Sequence, residues 1–194
     1  MERFEQLIRD EMSPRQLEVA DAISAGPRGG LRGPFIALIH NAELASHVQA
    51  LGEHLRFKTG LPRSAVEIPI LITAHRWASD YEWLAHARIA REAELHEDVI
   101  EALGRGVKPE NLDPDSELLY SFSHETVWNG RPHDATFNAL KNRFGNATVL
   151  DVLALCGYYT LLAFVLNTAQ LPLPPGKLPE QWGTESRCSG NDSL

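Results

Sequence analysis

The most informative stretch of this chain reads EIPILITAHRWASDYEWLAH and spans residues 67–86. Within it, Glu82 and His86 are four positions apart, and Ser79 lies one turn before Glu82. A helix would project these three side chains from one face, because residues three and four apart are neighbours on a helical surface. An acid, an imidazole and a hydroxyl group side by side are suited to proton transfer without a cofactor. The spacing therefore favours an acid–base site on a helix.

The same stretch contains two capping-box patterns, which predict where helices begin. Ser64 precedes Glu67 by three positions, and Ser79 precedes Glu82 by the same interval. In a capping box, the carboxylate at the third helical position reaches back to the backbone of the capping residue. Both glutamates therefore have a structural interpretation beside the catalytic one, and the two roles are compatible because a cap also orients the carboxylate.

The apolar run at residues 68–74 is ambiguous between strand and helix by its period alone. Its flanking signals favour a helix, in which Pro69 is expected to distort the first turns. We expect a break at residues 76–78 and a second helix that runs from Ser79 to about Glu92. Helix signals are similarly dense elsewhere, and strand signals are nearly absent. Further helices are predicted at residues 14–26, 41–60, 96–103, 115–128, 133–144 and 147–168.

Short connections between these helices favour an all-α bundle of antiparallel neighbours. The segment 149–167 is apolar nearly all round, so it is either central or covered by another subunit, and we expect the second. A length of 194 residues suits one domain with trailing arms. The predicted divisions are an N-terminal helical arm with a glycine-rich loop (1–33), a helical domain (34–170) and a proline-rich extended tail (171–194).

The overall composition argues against some classes of function and indicates the cellular compartment. A net charge of −8 with scattered arginines argues against nucleic-acid binding, which needs a concentrated basic surface. The two cysteines, Cys156 and Cys188, form no Cys-x-x-Cys pair, which favours a reducing, cytoplasmic setting. The N-terminus lacks an apolar signal region, and the apolar run 149–164 is shorter than a membrane-spanning helix needs. We therefore expect no membrane partner.

Several segments together resemble the carboxymuconolactone decarboxylase family, whose superfamily includes the alkylhydroperoxidase D proteins. They are Gly33–Phe35, Leu38–Leu44, Gly52–Leu61, Glu67–Leu71, Tyr81–His86 and, weakly, Gly157–Tyr159. The resemblance implies an all-helical, alkylhydroperoxidase D-like bundle that assembles as a homo-oligomer, a trimer or hexamer. It also implies that the active sites lie close to the subunit contacts.

The peroxidase members of this superfamily carry Cys-x-x-Cys-x-x-x-His with a glutamate upstream. Aligning that histidine with His86 places Ser79 and Glu82 at the two cysteine positions and Glu67 at the upstream glutamate. Dithiol peroxide chemistry then has neither its nucleophile nor its resolving thiol. The decarboxylase branch, by resemblance, uses acid–base residues and neither a metal nor an organic cofactor.

These considerations predict a cofactor-independent lyase acting on a small carboxylated ring or lactone. His86 is expected to protonate the carbanion or dienolate carbon as carbon dioxide leaves, with Glu82 orienting the imidazole and Glu67 serving as a second acid–base group. The predicted substrate-binding residues are Ser79, Arg76 and Arg63. Isomerase, dehydratase and hydrolase reactions would use the same groups. A redox protein and a non-catalytic oligomeric binding protein are the alternatives from other classes.

The other polar and aromatic candidates are predicted to have no part in catalysis. On an unbroken helix, His75 would stand roughly 16 Å from His86, so it is expected to be peripheral unless the break folds it back. A metal site at Glu82 and His86 lacks a clear third ligand. Tyr158 and Tyr159 are expected to be core aromatics. The pairs His124–Glu125 and His133–Asp134 are interpreted as solvated loop residues.

Overall fold

A computed structural model of the chain describes residues 2–27, 29–180 and 182. Within these residues the regular structure is helical and contains no strand, which confirms the all-α prediction. After a short 3-10 turn at Arg9–Glu11, the helices are α1 (Pro14–Ala25), α2 (Pro34–Leu38), α3 (Ala42–Phe57), α4 (Arg63–Arg76), α5 (Asp80–Glu92), α6 (Glu97–Gly104), α7 (Pro114–Asn129) and α8 (Asp134–Ala169). Sequence analysis missed α2.

Local signals in the sequence set several helix ends. Ser13 and Gln16 make both hydrogen bonds of a capping box at the start of α1. The Asn41 side chain accepts a hydrogen bond from the Leu44 N–H at 3.2 Å at the start of α3. At the end of α7, Gly130 adopts φ 76° in the left-handed region, where glycine has no steric penalty. These three signals were correctly interpreted because each acts within one helical turn.

The two capping boxes predicted around α4 and α5 do not form. α4 begins after Pro62 without a side-chain cap, and Ser79 precedes α5 without capping it through its hydroxyl. Both glutamates are instead buried in the protein interior. A buried carboxylate needs a strong partner, and the interior supplies one for Glu67, as described below.

α4 is the central helix of the fold. Every residue from Ala65 to His75 is buried, and α4 packs against α5, α7 and α8. The helix continues through Pro69 and ends at Arg76. The break predicted at 76–78 is present, with Ala78 at φ 45° and the Ser79 N–H bonded to the Ala74 carbonyl at 3.0 Å. The helix that is buried on all sides is therefore α4.

α8 carries one break and one exposed face. Gly145, at φ 83° and ψ 172°, interrupts the helix where two separate helices were predicted. By length and composition alone α8 could cross a membrane, but half of its most apolar window is buried inside the protein. Its outer face exposes Leu150, Leu161 and Phe164. That another subunit covers this face stays a prediction.

Residues 171–180 beyond α8 form neither helix nor strand, and the extended course predicted for the tail (171–194) stays a prediction. Leu171 and Trp182 are buried, and the Trp182 indole N–H donates to Asp80 Oδ1 at 2.6 Å, at the start of α5. The predicted disorder from Ser186 onward falls outside the described residues.

Helix α1 shares a hydrophobic cluster with α8. The predicted division of the chain at residues 33 and 170 stays a prediction.

Candidate active site

A buried carboxylate–imidazole pair joins α4 and α5. The turn after Arg76 folds α5 back against α4, which brings Glu67 and His86 together although they are 19 positions apart. Glu67 Oε2 lies 2.7 Å from His86 Nδ1, and the two residues are only 2 % and 7 % exposed. A short bond between an acid and an imidazole in a water-poor interior is an arrangement suited to proton transfer.

The geometry of this bond defines what His86 can do. With Nδ1–H donating to the Glu67 carboxylate, the tautomer and orientation of the ring are fixed. The opposite nitrogen, Nε2, is then the atom that accepts or delivers a proton. Sequence analysis assigned the orienting role to Glu82, but the recorded carboxylate bond of His86 goes to Glu67. The contact between helices supplies a partner that the i, i+4 spacing did not reveal.

Tyr159 of α8 closes the other side of the imidazole. Its ring meets the His86 ring in a T-shaped contact, with centroids 5.0 Å apart and planes at 83°. Burial raises the pKa of the Tyr159 phenol well above its ordinary value; Arg56 opposes this shift, and Glu67 and Glu82 add to it. The phenol is therefore neutral at physiological pH. Tyr159 is a core aromatic, as predicted, and it is also part of the site.

Glu82 shares this environment. It lies one turn before His86 on α5, is only 3 % exposed, and acts electrostatically on Tyr159. Three helices thus contribute buried charged or polar groups to this region: Glu67 from α4, Glu82 and His86 from α5, and Tyr159 from α8.

The three predicted substrate-binding residues occupy different places. Ser79 is fully buried at the start of α5, and its hydroxyl has no hydrogen-bond partner within the described part of the chain. The Arg76 guanidinium lies over the rings of Trp77 and Trp128, at 4.7 and 4.6 Å from their centroids. Arg63 is at the surface, 3.8 Å from Glu92.

Arg56 of α3 acts electrostatically on Tyr159, which the sequence pattern did not predict. It is half-buried at the edge of the inward face of α3, four positions after the buried Gly52 and eight after the buried Val48. That four-residue interval was a usable signal, because residues at this spacing share a helical face. It was not used because the position of α8 beneath this face depends on packing.

The remaining polar candidates belong to other environments. His75 is buried rather than peripheral, and it packs against Trp182 with ring centroids 5.6 Å apart. His124 lies within α7, stacked on Tyr120, instead of in a solvated loop. His133 precedes α8 and is exposed. Within residues 2–27, 29–180 and 182, no group of three or more His, Cys, Asp or Glu side chains is arranged to hold a metal ion.

The recorded surface cavities are not lined by the acid–base residues. One of about 510 Å³ is lined by residues that include His96, Glu101 and Arg105. Another, of about 400 Å³, lies between α6 and the tail. Glu67, Glu82 and His86 are all buried in the single chain.

No protein-family model and no curated protein matches the chain. Among solved structures, it is similar to an alkylhydroperoxidase AhpD core, described as an uncharacterized peroxidase-related protein from Ralstonia eutropha JMP134. The TM-score is 0.73 and the sequence identity 18 %, over 89 % of this chain and 92 % of that one. An uncharacterized peroxidase-related protein from Silicibacter sp. TM1040 gives a TM-score of 0.71 and 14 % identity, over 92 % and 94 % of the two chains.

The chain therefore has the alkylhydroperoxidase D-like fold. At this level of identity the similarity concerns the arrangement of helices, since one fold can host unrelated chemistries. Function has to be inferred from the residues that the fold brings together.

Proposed function

We propose that this protein is a cofactor-independent acid–base enzyme resembling carboxymuconolactone decarboxylase, a lyase for a small carboxylated ring or lactone. The observation that carries the proposal is the buried 2.7 Å bond between Glu67 and His86. Glu82 and the neutral phenol of Tyr159 surround that pair. These groups can hold and move a proton in a sheltered site without a metal or an organic cofactor.

The proposed reaction begins with His86 protonated. Loss of carbon dioxide from the substrate leaves an electron pair on carbon, as a carbanion or dienolate. Nε2–H of His86 delivers its proton to that carbon, while Nδ1–H stays bonded to Glu67. Water then returns a proton to Nε2. Glu82 adds a second carboxylate beside the reacting centre, and isomerase, dehydratase or hydrolase chemistry would use the same groups.

A thiol peroxidase is the weaker alternative. It requires a reactive thiolate, but burial raises the pKa of the Cys156 thiol to about 12, although the neighbouring Ser123 opposes the shift. Cys188 falls outside the described residues. A thiol-dependent peroxide assay separates the two functions, because peroxide turnover that vanishes in Cys156→Ser would identify a redox protein.

The surroundings of the site suggest how the enzyme is assembled. Apolar side chains are exposed on the outer faces of α3 and α8, the two helices that carry Arg56 and Tyr159. We propose that a homo-oligomer, a trimer or hexamer by the family resemblance, covers these faces, and that the enzyme works in the cytoplasm on a small carboxylate. Nucleic-acid and membrane partners are not part of the proposal.

The decisive experiment compares variants on a panel of lactone and aromatic acids. His86→Gln and Glu67→Gln are expected to lower turnover by about 10²- to 10⁴-fold, the usual contribution of general acid–base catalysis. His133→Gln is the matched control, because His133 forms the same kind of pair with Glu125, at 3.1 Å, but is exposed. The proposal fails if no acid turns over, or if the His86 and His133 variants behave alike.

A further inference from the structure

Two indole rings hold the guanidinium of Arg76 at the end of α4. Arg76 is the last residue of that helix, Trp77 follows it in the chain, and Trp128 lies in the last turn of α7. All three residues are half-buried, and the guanidinium carbon lies 4.7 Å from one ring centroid and 4.6 Å from the other. Among aromatic side chains, tryptophan attracts a cation most strongly. The rings therefore fix the guanidinium before any ligand arrives.

Both indole rings are themselves fixed by contacts. The Trp77 indole N–H donates to Thr160 Oγ1 of α8 at 3.0 Å, and the Asn167 side-chain N–H donates to the Trp77 carbonyl at 2.8 Å. Trp128 packs against His124, one turn earlier on α7, with ring centroids 5.9 Å apart. A site whose parts are already in place loses little conformational freedom when a ligand binds.

The hydrogen-bond donors of Arg76 are not used within the described part of the chain. The Arg76 Nε–H is buried and has no acceptor there, and none of the ion pairs formed among these residues includes Arg76. Arg91 shows the contrast, because its Nε and Nη2 groups both donate to the Glu97 carboxylate. Buried N–H groups in folded proteins nearly always have an acceptor, so an unused one needs a ligand or a water molecule.

The chemistry of Arg76 and its neighbours selects the ligand. The Nε and Nη donors along one edge of a guanidinium match the two oxygens of a carboxylate, as they do in the Arg91–Glu97 pair. One cation neutralises one negative charge, which favours a monocarboxylate over a phosphate dianion. The adjoining indoles of Trp77 and Trp128 offer apolar contact to the ring that carries the carboxylate.

We propose that Arg76, Trp77 and Trp128 form a binding site for a small aromatic monocarboxylate, separate from the Glu67–His86 pair. Arg76 follows Glu67 by nine positions on α4, so their backbones are about 13 Å apart along the helix axis. A small ring acid held at Arg76 therefore does not reach the imidazole. Trp128 belongs to α7, which is not part of the α3 and α8 surface proposed to be covered by another subunit. The site goes beyond the proposed lyase and does not depend on it.

A competing explanation is that a water molecule satisfies the Arg76 Nε–H and that Arg76 only packs against the indoles. In that case its replacement would lower stability without affecting the binding of an acid. The experiment therefore compares benzoate with benzamide, which has the same ring and nearly the same shape but no charge. Both are titrated calorimetrically into the full-length chain at constant ionic strength.

Wild type is expected to bind benzoate at least about tenfold more tightly than benzamide, since hydrogen bonds to a charged group contribute about one to two orders of magnitude in affinity. Arg76→Gln should weaken benzoate binding about 10- to 100-fold and abolish the preference. Arg131→Gln is the matched control, because it removes an exposed arginine three positions after Trp128 and should keep the preference.

Three further measurements keep the result interpretable if Arg76→Gln folds poorly. Arg76→Lys retains the charge without the planar fork and should bind benzoate several-fold less tightly than wild type. Trp128→Leu retains the guanidinium without one of its rings and should also bind benzoate several-fold less tightly. In ¹⁵N-labelled wild type, the Arg76 Nε resonance should shift on addition of benzoate and stay in place with benzamide.

The outcomes separate this site from the acid–base pair. His86→Gln should keep the preference for benzoate, and benzoate binding at Arg76 with no turnover of any acid would retain the inference and reject the lyase. Turnover that requires His86, in a chain whose Arg76 binds no benzoate, would do the reverse. Equal binding of the two probes by wild type, a preference that survives in Arg76→Gln, or one that is lost in Arg131→Gln or His86→Gln would each overturn the inference.

Discussion

At the scale of single residues, the burial of Glu67 determines the arrangement of the site, because the buried carboxylate needs a partner. An isolated carboxylate in the interior is strongly destabilising, and Glu67 is compensated by the 2.7 Å bond to His86. The partnership is reciprocal, because the same bond fixes the imidazole tautomer. Because the carboxylate and the imidazole compensate each other's burial, the pair can remain in the protein interior when no ligand is bound.

Cys156 gives a test at this scale. With its pKa raised to about 12 by burial, about one thiol in ten thousand is ionised at pH 8. In a Cys188→Ser background, iodoacetamide should therefore modify native Cys156 very slowly and urea-unfolded Cys156 rapidly, as followed by intact mass. Rapid alkylation of the folded chain would contradict this.

The same shift predicts a dependence of stability on pH. A raised folded-state pKa contributes stability that is complete below the unfolded value, near 9, and is lost as pH rises toward 12. Cys156→Ala should therefore reduce the loss of stability between these pH values, measured by urea denaturation.

At the scale of elements, backbone breaks position the helices. The break after α4 allows α5 to fold back, and Gly145 interrupts α8 with a backbone conformation that side-chain-bearing residues rarely adopt. Gly145 is exposed and has open space around it, so a side chain there would meet no neighbouring atom. Glycine is favoured at this position because of the backbone conformation.

Gly145→Ala is therefore expected to destabilise the fold by about 1–3 kcal/mol, the usual cost of a strained backbone position. Asn146→Ala, at the exposed neighbouring position, should change the free energy of unfolding by less than about 0.5 kcal/mol. Urea denaturation followed by circular dichroism measures both variants. Similar effects in the two would show that the Gly145 conformation is not required.

The tail after α8 is the other element with a structural role. Trp182 is 9 % exposed, packs against Trp83 with ring centroids 4.9 Å apart, and bonds to Asp80. Leu173, in the same tail, is 52 % exposed.

Trp182→Ala should cost about 3 kcal/mol in free energy of unfolding, because it removes a buried aromatic side chain. Leu173→Ala is the control and should change that free energy by less than about 0.5 kcal/mol. If both variants denature at the wild-type urea concentration, the tail does not stabilise the helices.

At the scale of the whole molecule, α3 and α8 expose apolar side chains on their outer faces. The exposed apolar side chains of α3 and α8 are Leu44, Leu51, Phe57, Leu150, Leu161 and Phe164. A groove of about 440 Å³ lies between α8 and the segment from α2 to the start of α3, next to Leu44 and Leu161. Extended apolar surface of this kind typically marks an interface between proteins.

We therefore expect Leu161→Glu to convert the proposed homo-oligomer into monomers, since a buried unpaired carboxylate at an apolar contact is strongly unfavourable. Leu173→Glu places the same charge on an exposed tail residue and should leave the molar mass unchanged. Light scattering after gel filtration measures both. A monomeric wild type, or equal mass in the wild type and Leu161→Glu, would contradict the proposed assembly.

The sequence was sufficient to predict the features that arise within a helical turn. It predicted the all-α class, the caps at Ser13 and Asn41, the end of α7 at Gly130 and the break before Ser79. Each depends on backbone groups only a few residues apart, so local residue types are sufficient to identify them.

Helix packing brings the site residues together. His86 bonds to Glu67 of another helix although Glu82 is closer in sequence, and the Tyr159 ring of α8 packs against the His86 ring. The two predicted capping boxes failed for the same reason, because Glu67 and Glu82 turn inward when their helices pack. Contacts between distant segments depend on how whole helices cross, and residue spacing along one helix does not by itself specify which helices cross or where.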